Sequence, residues 1–275
     1  MQGSNNTVSN SKNRASAEHT FPLVKTTADT TFRVEIAKDP RLIDQAYSLR
    51  YQVFNLELGE GLPESRATQR DIDQYDAFCD HLVVVDEALD LVVATYRILP
   101  IDRAIANLGF YSETEFDLSN VYKNLPDSAE TGRCCVHAEY RSGLVMNLLW
   151  YGLACYMEQH QFRYLFGCTS LNKGDTPETA AVIYKICETS GGLAAEPYHV
   201  PPLASHTMKR FNKNATLPTI SGNPKRLLPS LMRGYLSIGV KICGEPAYDP
   251  IFQVIDFFTM FDDKGIAKAA KRFFR

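Results

Sequence analysis

Residues 130 to 171 run Glu130-Thr-Gly-Arg-Cys-Cys-Val-His137, Ala-Glu-Tyr-Arg-Ser-Gly143, Leu144-Val-Met-Asn-Leu-Leu-Trp-Tyr-Gly-Leu-Ala-Cys-Tyr-Met-Glu-Gln-His-Gln161, Phe162-Arg and Tyr164-Leu-Phe-Gly-Cys-Thr-Ser-Leu171. The first and last pieces have the length of strands. The long middle piece is apolar on nearly every face, so it is a helix that must be covered on most sides. A helix between two strands that both read as buried implies a parallel crossover.

Working outward, Pro177 to Thr189 reads as a helix opened by a proline at its first position. Upstream, His81 to Val85 and Leu91 to Leu99 are β-branched-rich runs joined by the polar link Asp86 to Asp90, which predicts an antiparallel hairpin ended by Pro100. Thr31 to Ala37 places Phe32, Val34 and Ile36 on one face, the period of a half-buried strand. Pro40 opens a helix with Leu42, Ala46, Leu49 and Val53 at helical spacing, stopped by Gly59 and Gly61. Ser112 and Glu115 have the spacing of a capping box for a short helix before Asp117. Beyond Gly192 come Pro-rich loops, then a helix over Leu227 to Ile238 and a strand over Ile251 to Phe261. These elements predict an α+β fold, one mixed β-sheet flanked by helices with a C-terminal helix-strand extension. The expected division is a disordered N-terminal arm over residues 1–30, a core over 31–195, and a basic extension over 196–275 packed on that core.

The chain has 275 residues, 45% of them hydrophobic, enough to bury a substantial core. Its 29 basic and 32 acidic residues give a net charge of -3, which excludes a wholesale nucleic-acid binder. The charge is uneven: Ser205 to Arg275 holds twelve Lys and Arg against five Asp and Glu, while residues 1–204 are net acidic. A basic end suits an anionic partner, either a membrane surface or an acidic protein, and equally suits solvated lysines with no partner. Lys264 to Arg275 places Ile266, Ala269 or Ala270, and Phe273 on one helical face opposite basic residues, as in a weak interfacial helix or one packed on the protein's own sheet. The seven cysteines lack metal spacing and read as buried thiols in a reducing compartment. The first twenty residues hold no apolar signal segment, and the longest apolar stretch, Leu144 to Met157, is too short to span a bilayer. The expected location is the cytoplasm, with peripheral contact at an anionic inner membrane.

The densest polar cluster is Asp71-Ile-Asp73-Gln-Tyr-Asp76, followed by Asp80 and His81. Carboxylates so close repel one another unless cations sit among them; composition alone favours a solvated loop, and Arg50, Arg97 and Arg133 are the cations available to compensate a buried site. Glu130 and Arg133 are three apart, so on a regular strand they point to opposite faces. Both can face one cavity only if a bulge re-aims one of them, and Thr131-Gly132 is a suitable place. His81 and Asp86 have the H-x-x-x-x-D spacing of glycerolipid acyltransferases, but the strand between them sends the two side chains to opposite faces. G-x-S-x-G, the Walker lysine motif and G-x-G-x-x-G are missing. Cys134 and Cys135, with His137 nearby, keep a thiol nucleophile open, although cysteines inside a strand usually serve packing.

Arg50-Tyr-Gln-Val-Phe54, Asp73-Gln-Tyr-Asp76 and Glu130-Thr-Gly-Arg133 resemble, in order and rough spacing, the R-x-x-x-F, D-x-[FY]-D and E-x-[ST]-R motifs of the acyl-homoserine-lactone synthases, which have a GNAT-like acyltransferase fold. The chain departs from that pattern in three ways. No tryptophan follows Phe54, Gly59-Glu60 standing in its region; Gly132 replaces Ser or Thr; and the chain continues past the usual end. A closer resemblance runs through Cys79-Asp-His-Leu-Val-Val-Val-Asp86, Ala94-Thr-Tyr-Arg-Ile-Leu99, Gly109 to Asp117, Tyr164-Leu-Phe-Gly-Cys168 and Gly234-Tyr-Leu to Gly244-Glu-Pro. These segments are similar to the bacterial L-ornithine N-α-acyltransferases of ornithine-lipid synthesis.

That resemblance implies transfer of a 3-hydroxy fatty acyl group from an acyl carrier protein to the α-amine of L-ornithine, giving lyso-ornithine lipid, with no cofactor and no metal. Glycine or serine as acceptor, and an autoinducer-type synthase, are the neighbouring enzymatic readings; a lipid or carrier-protein binding module without catalysis is a different class. The attacking amine must lose a proton, so a carboxylate base is needed, Glu130 first and then Asp73 or Asp76, with Arg133 beside them. Arg97 or Arg133 suits the acceptor's carboxylate, Arg50 and His81 are further expected binding residues, and an aspartate suits the side-chain ammonium. Backbone N–H groups around Cys134-Cys135 suit the oxyanion. GNAT enzymes that use coenzyme A present [QR]-x-x-G-x-[GA], whose bare amides cradle a pyrophosphate. Here Arg141-Ser142-Gly143-Leu-Val-Met146 crowds that nest, which favours a carrier protein whose single phosphate meets Arg141, Ser142 and Gly143. The expected partners are therefore an acidic acyl carrier protein docked on the basic end and a small amino-acid acceptor, with no nucleic acid.

Overall fold

The computed structural model describes Val24–Lys25 and residues 30–218 and 222–263. Its strands are β1 Val24–Lys25, β2 Thr31–Ile36, β3 Asp80–Asp86, β4 Leu91–Pro100, β5 Ser128–Val136, β6 Tyr164–Ser170, β7 Lys241–Ile242, β8 Ala247–Asp249 and β9 Val254–Asp262. Its α-helices are α1 Pro40–Arg50, α2 Ser65–Thr68, α3 Ile101–Ala106, α4 Ser119–Asn124, α5 Leu144–His160, α6 Pro177–Thr189 and α7 Ser230–Ser237. All nine strands join one mixed sheet in the order β1-β2-β3-β4-β5-β6-β9-β7, with β8 also paired to β9. Among the described strands only β5 and β6 run parallel, as the crossover through α5 requires.

The middle of β3 is apolar without alternation because both of its faces are covered. Leu82 and Val84 pack with α5, and Val83 and Val85 pack with α1 on the opposite face. α1 starts where expected, with Pro40 in its first turn and the Asp39 carboxylate accepting the Arg41 N–H. It passes directly into a π-helical stretch, Tyr51–Glu57, that ends before Gly59 at φ +67. Among the described residues no helix is long and apolar enough to cross a membrane.

Several elements differ from the sequence reading. The capping partner in the short turn Tyr111–Thr114 is Glu113, which accepts the Phe110 N–H at 2.9 Å; Ser112 is bonded elsewhere and Glu115 is buried. α7 begins three residues late because Pro229 holds extended backbone after a separate turn at Pro224–Leu227. β9 begins at Val254, since Gln253 at φ +59 closes a hairpin with β8. β7 and β8 are too short to display a period. Residues 196–263 thus contribute three strands to the common sheet, and β9 pairs along the whole length of β6. Val24–Lys25, inside the stretch expected to be disordered, pairs with β2. The rest of that arm and the helix expected over Lys264 to Arg275 lie outside the described residues.

β5 and β6 pair only from Ser128 to Glu130 and from Tyr164 to Phe166, then part. Gly167 sits at the parting, where a Cβ would lie 2.2 Å from the Thr131 carbonyl oxygen. No side chain fits there without moving a strand. Gly167→Ala is expected to destabilise the fold by about 1–3 kcal/mol through overpacking. A thermal melt checks this, and an unchanged melting temperature would show that the strands separate freely.

Candidate active site

Gly132 pairs with Arg97 and Cys135 with Thr95, which leaves both Arg133 and Cys134 opposite the single residue Tyr96. Arg133 takes φ +53, so β5 carries a bulge at this point. The bulge removes the alternation conflict: Glu130 and Arg133 line the same cavity of about 280 Å³, together with Arg97, Tyr75, Tyr111 and Phe54. A second, apolar cavity of about 130 Å³ is lined by Trp150, Leu153, Met157 and Phe261. The two share Tyr96, Thr131, Cys168, Thr169 and Tyr235, and the hydroxyls of Tyr96 and Tyr235 meet at 2.9 Å. The parting of β5 and β6 therefore has a polar chamber and an apolar chamber with a common wall.

The Glu130 carboxylate is fixed by the turn at Tyr111–Thr114. Oε2 accepts the Tyr111 N–H at 2.8 Å, while Oε1 accepts the Ser112 N–H at 2.8 Å and the Ser112 hydroxyl at 2.5 Å. Burial raises its pKa, against the opposing effect of the Ser112 and Tyr111 donors and the Arg97 charge. Three donors leave one lone pair on Oε2 for a further proton, so the group is oriented and more basic than a solvated carboxylate.

The aspartate cluster is a buried ion network, where composition alone favoured a solvated loop. Arg50, 1% exposed, spans Asp71 at 2.8 Å and Asp76 at 2.7 and 3.0 Å. Arg97 contacts Asp73 at 2.6 Å, and Arg133 donates to both oxygens of Asp71. Burial would raise Asp71, but Arg133 and Arg50 outweigh it and hold that carboxyl below its usual range; Arg50 and Arg97 do the same for Asp76. Arg133 also lies over Phe54 at 4.2 Å and Phe252 at 5.5 Å from the ring centres. The cations named from the sequence are thus the ones the aspartates use.

Of the expected site residues, Glu130, Arg133 and Arg97 line the cavity. Asp73, Asp76 and Arg50 stand behind them in the ion network. His81 is buried against the Tyr47 hydroxyl at 3.3 Å, and burial lowers its pKa to about 4, so it is neutral and outside the cavity wall. Asp86 accepts from the Tyr140 hydroxyl at 2.9 Å and has no contact with His81. Burial raises the thiols of Cys134 and Cys135, the latter to about 12, which leaves them protonated and poor nucleophiles. Arg141, Ser142 and Gly143 form the lead-in to α5: Gly143 at φ +92 is its N-cap, and Arg141 reaches Glu57 at 2.6 Å and the Val136 carbonyl at 3.0 Å.

Five cavity residues come from the C-terminal segment and were missed: Leu231, Tyr235, Phe252, Val254 and Asp256. Tyr111 and Ser112 were missed as well, because apart from the Ser112 hydroxyl they act on Glu130 through backbone N–H groups that any sequence supplies. One signal was available for Asp256, a lone carboxylate within an apolar strand.

The Acetyltransferase (GNAT) domain model matches residues 49–151. The L-ornithine N(alpha)-acyltransferase of Agrobacterium fabrum is 33% identical over 86% of this chain and 83% of its own. The protein of the same name from Brucella abortus is 32% identical over 84% of each chain. Among solved structures, the AHL synthase LasI aligns over 88% of this chain and 94% of its own at 16% identity, with a TM-score of 0.47. The chain belongs to the L-ornithine N(α)-acyltransferase family of GNAT-domain acyltransferases.

Proposed function

We propose that this N-acyltransferase moves a 3-hydroxy fatty acyl group from a carrier-protein thioester to the α-amine of L-ornithine. The observation that carries the reading is the Glu130 carboxylate, buried, oriented by three donors and facing the same chamber as two arginines. Oε2 takes a proton from the α-ammonium. The neutral amine then attacks the thioester carbonyl, and as the tetrahedral intermediate collapses the C–S bond breaks and the departing thiolate takes up the second proton that the nitrogen gives up in becoming an amide. Asp71 occupies the Nε and Nη2 edge of Arg133, which leaves Nη1 to meet the acceptor's carboxylate. The apolar chamber suits the first carbons of the acyl chain.

The donor reading rests on the start of α5. Bulky Leu144 and Met146 stand where a pyrophosphate nest needs bare backbone, while Arg141 remains half-exposed for a single phosphate. Lys209, Lys225 and Arg226 belong to the basic end available to an acidic carrier protein, beside Arg210 and Lys213, which are paired with Glu178 and Glu245. Purified protein offered matched acyl-carrier-protein and coenzyme A thioesters is expected to give the higher kcat/KM with the carrier. Equal or better use of coenzyme A overturns the donor assignment.

A further inference from the structure

Asp256 on β9 lines the same chamber as Glu130 and Tyr111. Behind it stand Glu115 and Asp249, and carboxylate oxygens of the three lie within 4.8 Å of one another. All three residues are buried, Glu115 to 1% exposure. Asp256 accepts the Ser170 hydroxyl at 2.6 Å, and Asp249 accepts the Ile251 and Phe252 N–H groups and the Tyr111 hydroxyl. Both oxygens of Glu115 lack a hydrogen-bond partner of good geometry; their polar neighbours are Asp256 and the Tyr111 hydroxyl. The nearby arginines are committed elsewhere, Arg97 to Asp73 and Asp76 and Arg133 to Asp71.

Three carboxyls this close in a low dielectric cannot all ionise. Burial first, then Asp256 and Asp249, raise Glu115 to about 10, and burial with Asp249 raises Asp256 to about 6. Such a cluster is costly for the fold unless a cation accompanies it. Its position relative to the base is fixed by one turn. Tyr111 and Ser112 hold Glu130 through their backbone N–H groups, the Tyr111 hydroxyl reaches Asp249, and Glu115 follows on the same segment. The chamber therefore has a base for one amine and a negative wall at a set distance from it.

We propose that Asp256, backed by Glu115 and Asp249, binds the distal side-chain ammonium of the acceptor and so selects a diamino acid over a neutral amino acid of the same length. This rests on the acyl-transfer reading above and assigns its acceptor specificity. A lost partner leaves the buried carboxylates uncompensated, which is why an acceptor without the ammonium is rejected.

The test compares kcat/KM for ornithine and for norvaline, which has the same chain without the ammonium. The wild type is expected to favour ornithine by about 10²-fold or more. Asp256→Asn is expected to cut that ratio at least about tenfold, chiefly through KM for ornithine, and to melt no lower than the wild type because it relieves repulsion. Asp256→Ser serves in the same way if Asp256→Asn does not fold. A variant ratio equal to the wild-type ratio, or a wild-type ratio near one, overturns the assignment while leaving acyl transfer intact. Activity abolished by a chelator and restored by magnesium also overturns it, making the cluster a divalent-cation site. A wild type that acylates no amino acid from either donor removes the acyl-transfer reading, and this assignment with it.

Discussion

Glu130→Gln is expected to lower kcat by about 10²–10⁴-fold, the range typical for loss of a general base, while acceptor binding persists. The glutamine oxygen can still accept from Ser112, but its amide NH₂ then faces the Tyr111 N–H that Oε2 accepts in the wild type. That mismatch costs about 1–3 kcal/mol, so a thermal melt must show the variant folded at the assay temperature. The pH profile separates the two roles of this carboxyl. If Glu130 takes the proton, the acidic limb of wild-type kcat lies above the ordinary carboxylate range, in the direction burial pushes the group, and the limb disappears in the variant. A variant that keeps most of its kcat and the same acidic limb would falsify Glu130 as the base and direct attention to Asp73.

Arg50→Ala is expected to destabilise the protein by about 3–5 kcal/mol, the cost of removing one partner from a buried ion pair. It leaves buried Asp76 with Arg97 at 3.4 Å as its remaining cation and leaves Asp71 with Arg133 alone, while the space of a fully enclosed guanidinium stays empty. Against a total stability of about 5–15 kcal/mol, this is a large fraction. The linkage has a definite sign. Both carboxyls are held below their usual range, so their contribution is complete above the unfolded value near about 3.9 and is lost as pH falls through the folded values. The gap in denaturant stability between wild type and Arg50→Ala should therefore be widest near neutral pH and narrow below about pH 4. A gap independent of pH would mean that Arg50 acts through packing alone.

The alternation of Phe32, Val34 and Ile36, the proline-opened helices at Pro40 and Pro177, and the apolar run of α5 each declare themselves within one element. Local period and capping chemistry determine such features, which is why the order of the longer strands and helices through α6 was legible, while β1 and the short helices α2, α3 and α4 were not. β7 and β8 were not, because two or three residues cannot display a period. Glu130 and Arg133 were legible as a pair with a geometric problem, and the bulge at Arg133 is its solution. His81 illustrates the reverse. A titratable residue beside a motif looks available in sequence, but burial keeps it neutral and behind the wall.

By itself the sequence determined the longer elements, the mixed character of the sheet and the three short motifs that carry the likeness to acyltransferases. Only the tertiary structure decided which carboxylates share a chamber. Asp256 reaches Glu115 because β9 pairs along β6, and Ser112 reaches Glu130 because a turn remote in sequence closes over β5. Those neighbours are set by pairing between distant strands, and periodicity within a strand records which face a residue takes but not which strand will lie beside it.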